Sequence, residues 1–364
     1  MKESSIRHMF PGNNTDRGFF SYFSYILPQP QAKRIYCLKG GPGVGKSSLL
    51  KRIGERVAQE GYDLEYMHCA SDPDSLDALV IPALGVALID GTAPHVTDPV
   101  YPAAVDEIVN LGEFWDGAAI RRNRDEIVRI NKEIGRQYKR AFKYLAAAKC
   151  MMDDIVGTYE FATDPAGPML EARRIIHKEL PREEGSRPGN IRRLFASAIT
   201  PTGIVHHMES LIDDDFKVYR IKNLWGVGVH KLIERVSDEA VRLGLDVELY
   251  YCPLAPETRI EHILIPKLKL ALFSEKDGFE PKNRRQETLG LTQYTDSAQF
   301  TVHKDALDFD IAMFHTMLDE AVNVLACTKG LHDELEVYYI PHMDFDRVRE
   351  KEEMIYREIM ELSK

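Results

Sequence analysis

Much of this chain is written twice, and a repeat of that extent constrains the fold more than any single motif. Arg34-Ile35-Tyr36-Cys37-Leu38-Lys39 returns as Lys217-Val218-Tyr219-Arg220-Ile221-Lys222, an offset of 183 residues (222 minus 39). At the same offset, Gly43-Val44-Gly45 returns as Gly226-Val227-Gly228, and Leu49-Leu50-Lys51-Arg52-Ile53 as Leu232-Ile233-Glu234-Arg235-Val236. Gly61, Cys69 and Pro73 return as Gly244, Cys252 and Pro256, and Ile81-Pro82 returns one residue later as Ile265-Pro266. The match reaches both ends of the unit. Phe10, Thr15 and Gly18 answer to Phe195, Thr200 and Gly203; Leu145, Lys149, Asp153 and Tyr159 answer to Leu325, Lys329, Asp333 and Tyr339. The polar stretch Glu183 to Gly189, with its Gly and Pro, suits a linker between units at 1–185 and 186–364. Units this long are whole domains, not the short repeats of a solenoid.

The first copy holds the stretch that points to chemistry. Gly40-Gly41-Pro42-Gly43-Val44-Gly45-Lys46-Ser47-Ser48 matches the phosphate-loop pattern G-x-x-x-x-G-K-[ST]. Before it, Arg34 to Leu38 reads as a buried strand. After it, Leu49, Leu50, Ile53 and Val57 recur at helical spacing among Lys51, Arg52, Glu55 and Arg56. Strand, glycine loop and helix are what an anion site needs: a backbone that bends its N–H groups inward, at the positive end of a helix. In that geometry Lys46 reaches the β- and γ-phosphates and the Ser47 hydroxyl binds Mg²⁺. Val86-Ala87-Leu88-Ile89-Asp90, four apolar residues ending in a carboxylate, reads as the strand whose Asp90 holds the same ion.

Comparing the copies sharpens this reading. Lys46-Ser47 aligns with Val229-His230, Gly40-Gly41-Pro42 with Asn223-Leu224-Trp225, and Asp90 with Ser274. The second loop has lost the lysine, the hydroxyl and the acid together and gained an indole, so it is expected to bind nucleotide poorly or not at all. Asp72, Glu113 and His95 are the candidates to orient or deprotonate an attacking water. Each also has an ordinary reading: a turn cap, a helix cap, a loop histidine. Lys149 with Asp153 and Lys329 with Asp333, at i,i+4, read as surface ion pairs. No Asn-Lys-x-Asp guanine motif occurs, since Asn131-Lys132-Glu133-Ile134 lacks the last acid, and ATP is the expected nucleotide.

Within the first unit, the pattern suggests a helix over Gly18 to Leu27 and strands over Asp63 to Cys69 and Gly85 to Ile89. It further suggests a short helix over Ser75 to Leu79 and a long helical region from Asp106 to Leu180. The second half repeats that helical region from Asp305 to Leu362. Ile6 to Phe10 and Ile191 to Ala198 are further strand candidates. The latter lies between the halves, so exchange of strands is open. The expected fold is α/β: a P-loop NTPase-type parallel sheet flanked by helices, tandemly duplicated, each copy with a long helical insertion or subdomain.

Bulk properties narrow the class. A hydrophobic fraction of 44% and a charged fraction of 29% are those of a globular protein. A net charge of -10 argues against broad nucleic-acid binding, which needs a basic face. Five widely spaced cysteines without a CxxC pair suggest reduced thiols. Met1 to Phe10 lacks the apolar core of a signal peptide, and Leu79 to Ile89 is too short to span a bilayer. A cytoplasmic protein without a membrane partner is expected.

The stretch Lys39 to Ser48, His68-Cys69 with Asp72-Pro73, the segment Asp90-Gly91-Thr92-Ala93-Pro94-His95, and Tyr251-Cys252-Pro253 with Ile265-Pro266 together resemble a bacterial family of tandem P-loop proteins described only as ATPases. The likeness covers nearly the whole chain. It implies a P-loop NTPase fold and ATP binding, but no pathway. The leading expectation is MgATP hydrolysis in the first half, with the second half a structural or regulatory copy. The alternatives are a small-molecule kinase, with Arg121, Arg122 and Arg124 on a helical lid, and a non-enzymatic nucleotide-gated module that engages a protein or small-molecule partner.

Overall fold

The computed structural model describes residues 4–93, 96–183, 185–275 and 285–363. The first half contributes β1 (Ile6–Met9), β2 (Gly12–Thr15), β3 (Gly18–Ser21), β4 (Arg34–Lys39), α1 (Lys46–Gln59), β5 (Leu64–Cys69), β6 (Asp72–Ile81), β7 (Val86–Asp90), β8 (Asp106–Asn110), α2 (Gly117–Arg121), α3 (Arg124–Phe161) and α4 (Ala166–Glu179). The second follows the same order: β9 (Ile191–Leu194), β10 (Ser197–Thr200), β11 (Gly203–His206), β12 (Lys217–Lys222), α5 (Val229–Arg242), β13 (Val247–Cys252), β14 (Ala255–Ile265), β15 (Leu270–Ser274), β16 (Arg285–Gly290), α6 (Ser297–Thr301), α7 (Lys304–Glu336) and α8 (Phe345–Glu361).

Each half builds a six-stranded sheet, β1-β5-β6-β7-β4-β8 and β9-β13-β14-β15-β12-β16, so the two halves share one strand order. The sheets are mostly parallel, with β6 and β14 antiparallel to both neighbours. Only Ala70 and Ser71 link β5 to β6, and so short a link permits only an antiparallel pair. The expected helix over Ser75 to Leu79 is therefore a central strand. Its Leu76 and Ala78 to Ile81 are buried, and a short apolar run does not distinguish strand from buried helix by its period. The expected helix over Gly18 to Leu27 is instead β3, hairpinned to β2, followed by a 3-10 turn at Phe23–Tyr25. The helical region begins at Gly117, because Asp106–Asn110 is an edge strand beside β4.

The two halves do not sit side by side as separate beads. β1 stays in the first sheet and β9 in the second, so no strand crosses. Helices do. Ala172 and Ile175 of α4 are buried in the core of the second sheet with Ile233 and Val236 of α5. Reciprocally, Val348, Ile355 and Ile359 of α8 are buried in the core of the first sheet with Ile53 and Val57 of α1. The polar ties match: Tyr36 Oη donates to Glu358 at 2.9 Å, and Tyr219 Oη to Glu179 at 2.5 Å. Between these exchanged helices, α3 and α7 run antiparallel, with Ile127 and Ile130 near Leu331 and Leu335 at one end and Tyr159 against Phe300 at the other. Residues 1–185 and 186–364 thus each own a sheet, but neither span is a closed packed body.

The seam between halves pairs equivalent residues. Phe10 and Phe195 exchange backbone hydrogen bonds of 2.9 and 3.0 Å. Beside them Arg7 donates to Glu65 and Glu248, and Arg192 donates to the same two glutamates. Burial disfavours the charge of Glu248, but the adjacent Arg7 and Arg192 outweigh it and hold the carboxyl down at about 2. A largely buried charge needs its partner, and each arginine here meets a glutamate from each half, which ties the halves together.

Candidate functional site

The glycine loop leaves the carboxyl end of β4 and enters α1. Gly43 and Gly45 have φ of +70° and +86°, where a side chain is strained, and a Cβ on Gly43 would come within 2.7 Å of Ile340. Val44 is buried beneath the loop, whereas Ser48 is exposed on the outer face of α1. Lys46 folds back over the loop, donating to the carbonyls of Gly40 at 2.7 Å and Gly41 at 3.2 Å, with Asp90 Oδ2 3.5 Å away. Ser47 Oγ accepts the N–H of Leu76 at 3.0 Å. Thr92 braces the acid: its N–H donates to Asp90 Oδ1 at 2.8 Å and its hydroxyl to the Gly40 carbonyl at 2.8 Å. Lys39 pins the following turn through the carbonyls of Gly91 and Thr97, both at 2.8 Å.

The structure thus brings Lys46, Ser47 and Asp90 together. Asp72 stands at the rim, accepting from Ser75 Oγ at 2.9 Å and lying 3.7 Å from Lys329. Among the described residues, Glu113 makes no hydrogen bond or ion pair with any of them. It is exposed beyond the end of β8, which flanks β4 on the side away from β7. His95 lies outside the described residues. The sequence reading passed over Asp77, a buried carboxyl on β6. Burial first and the neighbouring Asp90 second push its pKa up to about 8. The available signal was an acid inside an apolar run, masked by reading that run as a helix. Residues from the far half complete the surroundings: Ile340 and Phe345 back Gly43 and Gly45, and the Tyr339 ring lies tilted 5.5 Å from Trp115, which covers Gly41.

The equivalent loop of the second half is closed on itself. Asn223 Oδ1 accepts the N–H of Gly226, Val229 N–H bonds to the Gly226 carbonyl at 3.2 Å, and Arg259 donates to the Trp225 carbonyl. His230 replaces Ser47 in detail, since its Nδ1 accepts the N–H of Ile260 at 3.3 Å as Ser47 accepts that of Leu76. The Trp225 ring packs edge-on against Phe314 of α7, 5.0 Å between centroids. By contrast, among the described residues the N–H groups of Gly43 and Lys46 donate to nothing. The first loop therefore leaves these two donors free beside a lysine, whereas the equivalent N–H groups of the second loop, those of Gly226 and Val229, are already taken.

A cavity of about 700 Å³ opens elsewhere, between the halves at the opposite ends of the strands, around Arg7, Arg192, Glu65 and Glu248. Its two arginines are already met by its two glutamates, so an incoming anion finds no unmatched charge there. None of the five cysteines forms a disulfide. No helix among the described residues is long and apolar enough to cross a membrane. Compared with protein-family models, curated proteins and solved structures, the chain finds no match in any of the three.

Proposed function

We propose that the glycine loop of the first half is a phosphate loop that binds MgATP for hydrolysis, and that the second half is a degenerate duplicate carrying no nucleotide of its own. The observation that carries this reading is the contrast between the loops. Free N–H groups, Lys46, Ser47 and Asp90 converge in one, while the other is sealed by Asn223, Arg259 and Trp225. Backbone donors and the amino end of α1 suit an anion, and Lys46 would turn from the loop carbonyls to the β- and γ-phosphates. The Ser47 hydroxyl and Asp90 carboxylate are hard oxygen donors on adjoining elements, a set that fits Mg²⁺. Bound there, the ion would offset charge on the phosphate oxygens. Asp72 and Asp77 are the further carboxylates grouped with this site.

Titration of the full-length protein with MgATP, followed by phosphate release, tests the reading. One nucleotide per chain is expected. Lys46→Ala should abolish binding or turnover, whereas Val229→Ala should leave both nearly unchanged. Two nucleotides bound with similar affinity would sink the proposal. Faster ADP formation on adding a small-molecule acceptor would redirect it to a kinase.

Asp90→Asn keeps the size and the Thr92 contact but removes the charge. Turnover is expected to fall at least tenfold, about 1.4 kcal/mol of transition-state stabilisation, with a weaker response to Mg²⁺. A Mg²⁺ titration that superimposes on the wild-type curve would remove Asp90 from the site.

A further inference from the structure

We propose that Lys329, carried by the long helix of the second half, is the cation that steadies the γ-phosphoryl group in the first half's site. The inference rests on the MgATP reading above and gives the degenerate half a part in the chemistry.

The placement follows from an irregularity in β6. Its pairing with β5 steps from His68↔Leu76 directly to Cys69↔Asp72, so residues 73–75 loop out. Asp72 therefore lies only one step along β5 beyond Leu76, whose N–H rests on Ser47 Oγ. The turn before it is held from above by both long helices. Tyr138 Oη of α3 donates to Ser71 Oγ at 2.9 Å, and Lys329 Nζ of α7 stands 3.7 Å from Asp72 Oδ2. Lys329 also pairs with Asp333 at 2.5 Å, and its side chain is 30% exposed. A partly solvated ammonium on a flexible four-carbon stem can leave a half-buried and an exposed carboxylate for a more highly charged phosphate.

The second half supplies an internal comparison. Lys149 of α3, the counterpart of Lys329, keeps its own i,i+4 partner Asp153 at 2.5 Å. The position equivalent to Asp72 is Ala255, buried among apolar side chains of α3 and α7. An acid that meets the lysine of the long helix thus stands in the half with the open loop, and the equivalent position in the half with the closed loop is an alanine.

In the step itself, a water oxygen forms a bond to the γ-phosphorus as the bond to the β,γ-bridging oxygen breaks. The electron pair leaves with ADP, and the water's proton passes to the departing inorganic phosphate or to solvent. Lys329 stays protonated throughout and donates N–H to oxygens whose charge rises in the transition state.

The test uses the full chain with MgATP and with MgADP plus aluminium fluoride. Lys329→Ala is expected to keep the Kd for MgADP within about threefold and to lower kcat by roughly a hundredfold, a smaller loss than that of a trans arginine. It should also lose the tightening that aluminium fluoride gives the wild type, while Lys329→Arg restores part of both. Lys149→Ala should hydrolyse at the wild-type rate. If Lys329→Ala turns over normally and still tightens with aluminium fluoride, Lys329 is only an ion-pair partner and the inference fails alone. If the wild type binds no MgATP, the parent reading fails and this one with it.

Discussion

Residues 1–185 expressed without the rest of the chain are expected to be insoluble or unfolded, with MgATP binding lost. The truncation removes no residue of the glycine loop, so the expectation rests on packing. The core around α1 and β4 includes Met343, Val348, Ile355 and Ile359 from the far end of the sequence. Burying four such side chains stabilises by roughly 6–12 kcal/mol at 1.5–3 kcal/mol each, which rivals the whole stability of an ordinary domain. The same cut strips α3 of α7 and exposes Ala141, Leu145, Ala148 and Ile155, all fully buried. It also strands Glu65 and Arg7 without Glu248 and Arg192. Circular dichroism, size-exclusion chromatography and nucleotide titration of the fragment decide the matter. A monomeric fragment with a cooperative melt and intact MgATP affinity would defeat the idea. Rescue by adding residues 186–364 would support it, because that span carries both α7 and α8.

Acidification below pH 6.5 is expected to take away the stability contributed by three histidines in the seam. His8 Nδ1 lies 2.8 Å from His68 Nε2, and His68 Nδ1 lies 2.8 Å from the Pro73 carbonyl. That carbonyl can only accept, which places a proton on His68 Nδ1 and makes its Nε2 the acceptor for His8. The His207 ring lies tilted 4.4 Å from His68, and Phe10 stacks on His207 at 5.0 Å. Burial lowers His68 to about 4 and His207 to about 3, each further opposed by its neighbouring histidines; Lys51 adds to the effect on His68 and His206 to that on His207. Burial lowers His8 as well. With folded values below the unfolded 6.5, the unfolded chain binds more protons through this window. The stability these residues contribute is therefore complete above pH 6.5 and is lost as the pH falls toward 4 and then 3. The slope is at most about 1.4 kcal/mol per pH unit for each histidine. The sister cluster shows how to remove it: Tyr251 and Tyr22, which align with His68 and His207, sit 5.4 Å apart beside Phe195. A His68→Tyr, His207→Tyr variant should lose less of its Tm than the wild type between pH 7 and 4.5. Parallel Tm–pH curves for the two proteins would show that the cluster does not carry the effect.

The sequence alone determined the local units. A β-branched run, a glycine loop and a 3.6-residue apolar period are short-range signals. They placed β4, the loop and α1 correctly, as they did β5, β7 and the long helices. The two halves that the repeat marks out share one strand order. Local signals failed where burial on both faces erases the period, as in β6, and Asp77 was missed along with that strand. What only the tertiary structure decided is which surfaces meet. The spacing of Val348, Ile355 and Ile359 marks an apolar face on α8, but nothing in that spacing says which sheet it covers. The helix exchange, the Arg7–Glu65–Arg192–Glu248 seam, the closing of the second loop by Arg259, and the meeting of Lys329 with Asp72 all join residues far apart in the chain. Periodicity reports the environment a side chain needs. Which distant segment supplies that environment is settled only when the whole chain packs, because a contact between remote residues must outweigh the chain entropy of bringing them together.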